Sequence, residues 1–209
     1  MLSDIKISSA SAPKPPVYDR LAANYDRAIR PLERWFLAGL RRATLKYVSE
    51  GGRVLEVGAG TGLNFPYYPA GTGGVATELS GAMIDIAKTK PRLPGVHLVR
   101  NRAERLPFDD NMFDAAFATL VFCSVASPPE AFAELRRVVR PGGTIALLEH
   151  VRPGGLLGYI FDALSVLTVA LFDDHFNRRT ADAARRAGLH VTSVERRFFG
   201  VVQIIVCRV

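Results

Sequence analysis

Val54-Leu55-Glu56-Val57-Gly58-Ala59-Gly60-Thr61-Gly62 is an apolar run that stops abruptly at three alternate glycines, with an acidic residue just ahead of them. Glycines at 58, 60 and 62 let the backbone turn sharply and bring its N–H groups against a ligand that any side chain would push away. A dinucleotide fold wants Gly-x-Gly-x-x-Gly, but position 63 is Leu and the third glycine arrives one residue early. A nucleotide-type cradle also needs an acidic residue at the end of the following strand, about 20 residues on, to bind ribose hydroxyls. Glu78, closing Gly74-Val75-Ala76-Thr77-Glu78-Leu79, meets that condition.

Outward from this run, apolar strands alternate with helical patterns, as a parallel sheet requires. The patterning predicts strands at 53–57, 74–78, 96–100, 113–118 and 144–149, with helices near 62–67, 80–88 and 128–139. Pro141-Gly142-Gly143 stops the last helix and turns the chain into its strand. At the end, 190–199 and 201–208 are two β runs separated by Gly200, the pattern of a closing antiparallel hairpin.

The flanks differ from this core. Residues 1–16 are rich in Ser, Ala and Pro and read as an extended arm. From Tyr18 to Val48 the pattern is helical, expected as two helices divided near Pro31. Leu32, Phe36, Leu40, Ala43 and Tyr47 form an apolar stripe on the second, with Arg34, Arg41, Arg42 and Lys46 mainly elsewhere. Between Pro153-Gly154-Gly155 and Asp173-Asp174, Leu156 to Phe172 is almost wholly apolar, slightly short for a transmembrane helix, and reads as a buried or membrane-facing helix. A chain of 209 residues suits one domain with an N-terminal extension: 1–48 as arm and amphipathic helices, 49–209 as the main domain with an apolar insertion at 153–175.

The net charge of +7 calls for an anionic partner, either nucleic acid or an anionic membrane surface. The arginines come in dispersed pairs without an RNA-binding signature, which disfavours nucleic acid. Cys123 and Cys207 have no metal-ligand spacing, so no metal is expected and both read as reduced residues of a cytoplasmic protein.

The glycine run, Glu78, the Asp-Asn turn before Phe113-Asp114, and Arg140-Pro141-Gly142-Gly143 stand in the order of the class I S-adenosylmethionine-dependent methyltransferases, which the chain resembles over about residues 18–150 and the terminal hairpin. The resemblance implies an α/β, Rossmann-like seven-stranded sheet, mostly parallel with a C-terminal antiparallel hairpin. It implies S-adenosylmethionine as cofactor, with Gly58, Ala59, Gly60 and Gly62 at its methionine part, Glu56 orienting it and Glu78 on the ribose. Leu79 and Met83 would flank the adenine, together with Ala103 and Glu104, while Arg102 stands where the family usually has an acid. Thr119, Leu120 and Cys123 would line the methionine side.

A narrower likeness rests on Tyr18-Asp19-Arg20-Leu21-Ala22-Ala23-Asn24-Tyr25-Asp26, Val121-Phe122-Cys123-Ser124-Val125 and Leu148-Glu149-His150-Val151-Arg152. These look like the small bacterial phosphatidylethanolamine N-methyltransferases, with quinone and menaquinone C-methyltransferases as nearest rivals and a small-molecule methyltransferase as a further enzymatic alternative. A non-catalytic membrane-binding module on a cofactor fold is the reading from another class. The likeness implies a phospholipid acceptor, a peripheral position on the inner face of the cell membrane, and Tyr18, Tyr25, His150 and Arg152 at the acceptor site. Tyr25, His150 and Tyr18 are the candidates for catalysis. Trp35, Phe36, Tyr159 and Phe161 are candidates to hold a methylated ammonium through cation–π attraction.

Overall fold

The computed structural model describes residues 17–152, 165 and 178–209. The arm at 1–16 and nearly all of the apolar insertion, with Tyr159 and Phe161, lie outside the described residues. One sheet of seven strands carries the fold: β1 Arg53–Val57, β2 Gly73–Glu78, β3 Val96–Arg100, β4 Phe113–Thr119, β5 Val139–His150, β6 His190–Arg197 and β7 Val202–Arg208, in the order β3-β2-β1-β4-β5-β7-β6. The first five are parallel and β7 runs antiparallel between β5 and β6, as the alternation of patterns and the terminal hairpin predicted.

The order reverses between β1 and β4, so the chain leaves their carboxyl ends in opposite directions and opens a crevice there. Side-chain alternation on the strands feeds two cores. Leu55, Val57, Ala116, Ile145, Leu147, Ile205 and Cys207 pack toward α4, Pro128–Val138, and α5, Thr180–Arg186. Val54, Phe117 and Ala146 pack on the other face with Leu45 and Val48. Burial pushes the Cys207 thiol up to about 11, so it behaves as an apolar core group.

Several expectations are corrected. The segment expected as a helix at 62–67 is turns followed by the single 3₁₀ turn Phe65–Tyr67; Pro66 withholds an N–H and too few residues remain for a cooperative α-helix. Helix 80–88 is α3, Gly81–Lys88, capped by the Ser80 hydroxyl, which accepts from the Met83 N–H at 3.1 Å. The N-terminal helices are not divided at Pro31. The helix α1, Val17–Leu32, runs through it into a π-helical segment, Glu33–Leu37, and on into α2, Ala38–Leu45. Proline removes one helical donor, and the wider i→i+5 turn absorbs the disturbance without breaking the rod.

That π turn also rotates the apolar stripe. Leu40, Ala43 and Tyr47 pack against Leu148, Ile204 and Val206 on the sheet, whereas Leu32, Trp35 and Phe36 stand exposed and Arg41 turns inward. At the other end, β6 stops at Arg197 rather than at Phe199, because Phe198 and Phe199 take left-handed backbone in a tight 3₁₀ hairpin turn, Phe198–Gly200. No described helix is long and apolar enough to cross a membrane.

Candidate active site

The crevice at the carboxyl ends of β1, β2 and β4 is a cleft of about 240 Å³. Its floor is the turn after β1, where the three glycines have three different physical reasons. A Cβ on Gly58, at φ +70, would stand 2.4 Å from a Val121 methyl, and one on Gly62, at φ +83, would stand 2.4 Å from the Phe65 ring. Gly60, at φ +55, has nothing within 4 Å of its would-be Cβ. Gly58 and Gly62 are therefore required by packing, while Gly60 keeps open space. Gly58, Ala59 and Gly60 line the cleft and Gly62 sits behind it.

Glu78, at the end of β2, braces this turn. One carboxylate oxygen accepts the Gly60 N–H at 2.9 Å and the other accepts the Ser80 N–H at 2.8 Å. Burial raises its pKa above the ordinary glutamate value, partly opposed by the N–H donors. Leu79 and Met83 add an apolar wall, and Asn101, Arg102, Ala103 and Glu104 form the far side. Glu104 is more than a lining residue: its carboxylate accepts N–H groups of Ala126 at 2.9 Å and Ser127 at 3.2 Å, fastening the loop after β3 to the start of α4. Burial alone would raise its pKa, but these N–H donors and Arg102 hold it below the usual value.

Opposite the glycines lies a residue that the sequence patterning placed on the outer face. Arg41 is only 4% exposed and lines the cleft. Its Nε donates to the Glu33 carboxylate at 3.0 Å, and one terminal nitrogen donates to Asn64 Oδ1 at 3.0 Å and Thr119 Oγ1 at 2.6 Å. Eight residues along an ideal α-helix end about 80° off the starting direction. The π turn between Glu33 and Arg41 absorbs that offset and lets the two meet.

Glu56 belongs to the same network rather than to the cleft lining. It lies on the Val54 face of β1, wholly buried, and accepts from Asn64 Nδ2 at 2.5 Å and the Tyr68 hydroxyl at 2.6 Å. Burial raises its pKa against the pull of those donors, and burial beside Glu56 drives Tyr68 well above the ordinary phenol value. Asn64 Nδ2 also donates to Thr119 Oγ1 at 2.8 Å, so Glu56 reaches the cleft only through Asn64, Thr119 and Arg41.

The helix α1 roofs the cleft. Asp19 accepts the Ser80 hydroxyl and the Ala82 N–H at the start of α3; Asp26 accepts the Thr61 hydroxyl at 2.6 Å and pairs with Lys90 at 2.6 Å. These anchors hold Tyr18 and Tyr25 in the lining, edge to face with ring centroids 6.4 Å apart. Burial raises the Tyr25 pKa, which nearby Arg41 only partly offsets, so the phenol stays neutral at ordinary pH.

The four expected acceptor-site residues are thus not gathered in one place. Tyr18 and Tyr25 line this cleft, while Arg152 lines a second hollow with Arg179, Arg185, Arg196 and Gln203. His150 lies with Cys123 and Glu149 in a buried cluster whose polar atoms are all within 4.8 Å of one another. Glu149 fixes the turn after β4, accepting the N–H groups of Val121 and Phe122, both at 3.1 Å. Cys123 sits behind that turn, whereas Thr119 and Leu120 reach the cleft. Trp35 and Phe36 do not line it. The sequence reading assigned no role to Arg41, Asp19, Thr61, Asn101 and Ser124; Asp19, Thr61 and Ser124 stand in the stretches quoted above, while Arg41 and Asn101 carried no local signal.

The donor set fits S-adenosylmethionine on the structure's own terms: an open glycine turn, a carboxylate at the end of β2 for ribose hydroxyls, an apolar slot at Leu79 and Met83 for a flat ring, and a buried guanidinium for an anionic end.

A family profile described as a methyltransferase domain matches residues 55–147. The chain is 35% identical over 155 residues to the demethylmenaquinone methyltransferase of Renibacterium salmoninarum, covering 70% of this chain and 65% of that protein. It is 34% identical over 131 residues to the phosphatidylethanolamine N-methyltransferase of Cereibacter sphaeroides, covering 60% and 64%. With the ubiquinone/menaquinone biosynthesis C-methyltransferase UbiE of Burkholderia mallei it shares 30% over 181 residues, covering 81% and 72%. The fold matches a methyltransferase solved in complex with the Haloferax volcanii Trm112 activator at TM-score 0.75 and 21% identity, over 91% of this chain and 96% of that one. Strand order, glycine turn, Glu78 and these relatives agree that the chain belongs to the class I S-adenosylmethionine-dependent methyltransferases.

Proposed function

We propose that the protein transfers methyl groups from S-adenosylmethionine to the amine of phosphatidylethanolamine and then to its mono- and dimethyl derivatives, leading to phosphatidylcholine, at a membrane surface. The observation that carries this reading is the Tyr18–Tyr25 pair, two rings set at 72° in the lining of the cofactor cleft. Aromatic faces attract an ammonium, and a methylated headgroup keeps its positive charge while losing its N–H donors. Two aromatic faces in the lining suit that cation.

When bound, the cofactor supplies an electrophilic methyl group on a sulfonium. The chain's own contribution is position and exclusion of water: Gly58 to Gly60 and Glu78 fix one side, Arg41 and Thr119 the other, and α1 closes the top through Asp19 and Asp26. The acceptor amine must enter neutral. With an ordinary pKa of ~10, its neutral form lies about 4 kcal/mol uphill at pH 7. The Tyr25 phenol is placed in the lining to hydrogen-bond that amine.

Relatives favour a second reading, methylation of a quinol ring carbon, since those of Renibacterium and Burkholderia are named for it. Carbon methylation of a phenolic ring calls for a base at its hydroxyl. Among the described cleft residues there is no histidine, and the Glu78 and Glu104 carboxylates are both engaged by backbone N–H groups, which weighs toward the amine. Incubation with methyl-labelled cofactor and vesicles carrying both phosphatidylethanolamine and a demethylated quinol decides between them. Label in mono-, di- and trimethylated phospholipid is the expected result; label confined to the quinol overturns it.

A further inference from the structure

Among the described residues, the large apolar side chains left in water are, apart from Leu79 in the cleft, not scattered. Leu32 and Phe36 are each 47% exposed, Trp35 74%, Phe198 48% and Phe199 96%. The end of α1 and the π turn present the first three, the β6–β7 turn presents the others, and Phe36 meets Phe198 edge to face at 5.3 Å, joining the two segments into one platform. The hairpin turn lies at the end of the sheet that carries the cleft, because it leads directly into the β7 residue Val202, which pairs with His150 at the carboxyl end of β5, and the Phe36–Phe198 contact brings the π turn to the same end.

The backbone under Phe199 makes the choice of residue informative. Phe198, Phe199 and Gly200 have φ of 49°, 57° and 86°, three successive left-handed residues. That conformation suits Gly or Asn and strains a bulky side chain. Yet the chain puts phenylalanine at two of the positions, and one of them buries almost nothing. Within the described residues, strain here is not repaid by packing.

The rim is basic. Arg30, Arg34 and Arg196 are exposed around the aromatics, and Arg34 lies over the Trp35 ring at 5.8 Å. The nearby acids are paired: Glu33 turns inward to Arg41, and Glu195 accepts from Tyr47 and pairs with Arg197 at the surface. An apolar platform ringed by cations that pair with no acid among the described residues complements an anionic bilayer, with rings entering the acyl boundary and guanidinium groups at the phosphates.

We infer that Phe198, Phe199, Trp35 and Phe36 form a bilayer-docking wedge that seats the protein on anionic membranes with the cleft facing the lipid. It deepens the proposed function, whose acceptor resides in a bilayer. Trp35 is the chain's single tryptophan, so its emission reports directly on the platform. On vesicles containing phosphatidylglycerol, that emission is expected to shift to the blue and to be quenched by brominated acyl chains. Pure phosphatidylcholine vesicles should produce little of either. Phe199→Asn is expected to weaken partitioning about ten-fold, the effect of losing most of one buried ring, while leaving the thermal midpoint unchanged or higher because Asn tolerates left-handed backbone.

Undiminished vesicle binding by Phe199→Asn overturns the inference, as does a variant whose lost binding tracks a lowered thermal midpoint. Concentration-dependent self-association that Phe199→Asn abolishes would assign the platform to a second protein copy and overturn it likewise. Methylation of phosphatidylethanolamine dispersed in detergent micelles separates the two readings. Vesicle binding without such methylation supports the wedge and overturns only the proposed acceptor.

Discussion

On the glycine wall of the cleft, residues 58 to 60 hold their places through backbone conformation and one carboxylate contact, from Glu78 to the Gly60 N–H. On the opposite wall Arg41 is held by side chains from the π turn, the loop after β1 and the end of β4, separated from it by up to 78 residues in sequence. The first wall is tolerant of what surrounds it and intolerant of what occupies it. The second can be broken by removing any one of several distant partners. Stability and cofactor affinity should therefore respond differently to mutations on the two sides.

The severest test of that contrast is Arg41→Ala. It strands the Glu33 carboxylate and frees Asn64 and Thr119 in a buried pocket, a situation that costs about 3 kcal/mol. Urea unfolding should show the loss without any ligand present. A change below about 1 kcal/mol would mean that water replaces the guanidinium and that the wall is not a single network.

Gly58→Ala comes next and acts by collision. Its Cβ would sit 2.4 Å from Val121, and overpacking of this kind costs about 2 kcal/mol. Trimming the neighbour with Val121→Ala should recover part of that loss, a coupling that a double-mutant cycle reads directly. Gly60→Ala meets no atom, so only its left-handed backbone is penalised, by about 1 kcal/mol. Its methyl projects into open space, and calorimetry should register a loss of cofactor affinity that exceeds the loss in stability.

The asymmetry between the walls also explains what the sequence reveals. A glycine turn and an acid at the end of the next strand are local requirements of a backbone path, so the sheet, its terminal hairpin and the Glu78 position could be read from short stretches, whereas Pro141-Gly142-Gly143, expected to stop the helix, lies inside β5, which already begins at Val139. Arg41 could not. Its inward direction depends on the phase of the π turn after Pro31, and a regular helical period leaves it on the outer face. The indirect path of Glu56 was hidden for a related reason: its nearness to the glycines along the chain conceals that it reaches the cleft through Asn64, Thr119 and Arg41. His150 and Arg152 follow a strand that ends at the correct edge, but their neighbours there are a buried cluster and a second hollow.

Glu78→Ala probes the first wall at its ligand side. Loss of charge-assisted hydrogen bonds to ribose hydroxyls should weaken cofactor binding roughly ten-fold. Because burial raises the Glu78 pKa, its charged form is lost on acidification at a higher pH than for an ordinary glutamate, 4.5. Wild-type affinity should consequently start to fall above pH 4.5, and the Ala variant should lack that portion of the pH dependence. An identical profile in both proteins would remove Glu78 from the ribose contact.

The smallest expected effect lies outside both walls, where Glu134 and Arg137 fasten the loop behind the far side of the cleft. Arg137 donates to both Glu134 oxygens at 2.8 Å and to the carbonyls of Leu106 and Phe108, while Glu134 also accepts the Leu106 N–H at 2.7 Å. The guanidinium is the main reason that the Glu134 pKa lies below 4.5, with burial opposing it. A depressed carboxylate stabilises the fold above its unfolded pKa, and that contribution disappears as pH falls from 4.5 through the lower folded value. Glu78 has the opposite sign: its raised pKa favours folding in acid and loses that advantage as pH rises through the folded value. Glu134→Gln should cost about 1 kcal/mol at neutral pH, since the pair is partly exposed, and its stability curve should converge on that of the wild type in acid. Parallel curves that never converge would show that the loop is held by the Arg137 contacts to backbone carbonyls, with the Glu134 charge contributing little.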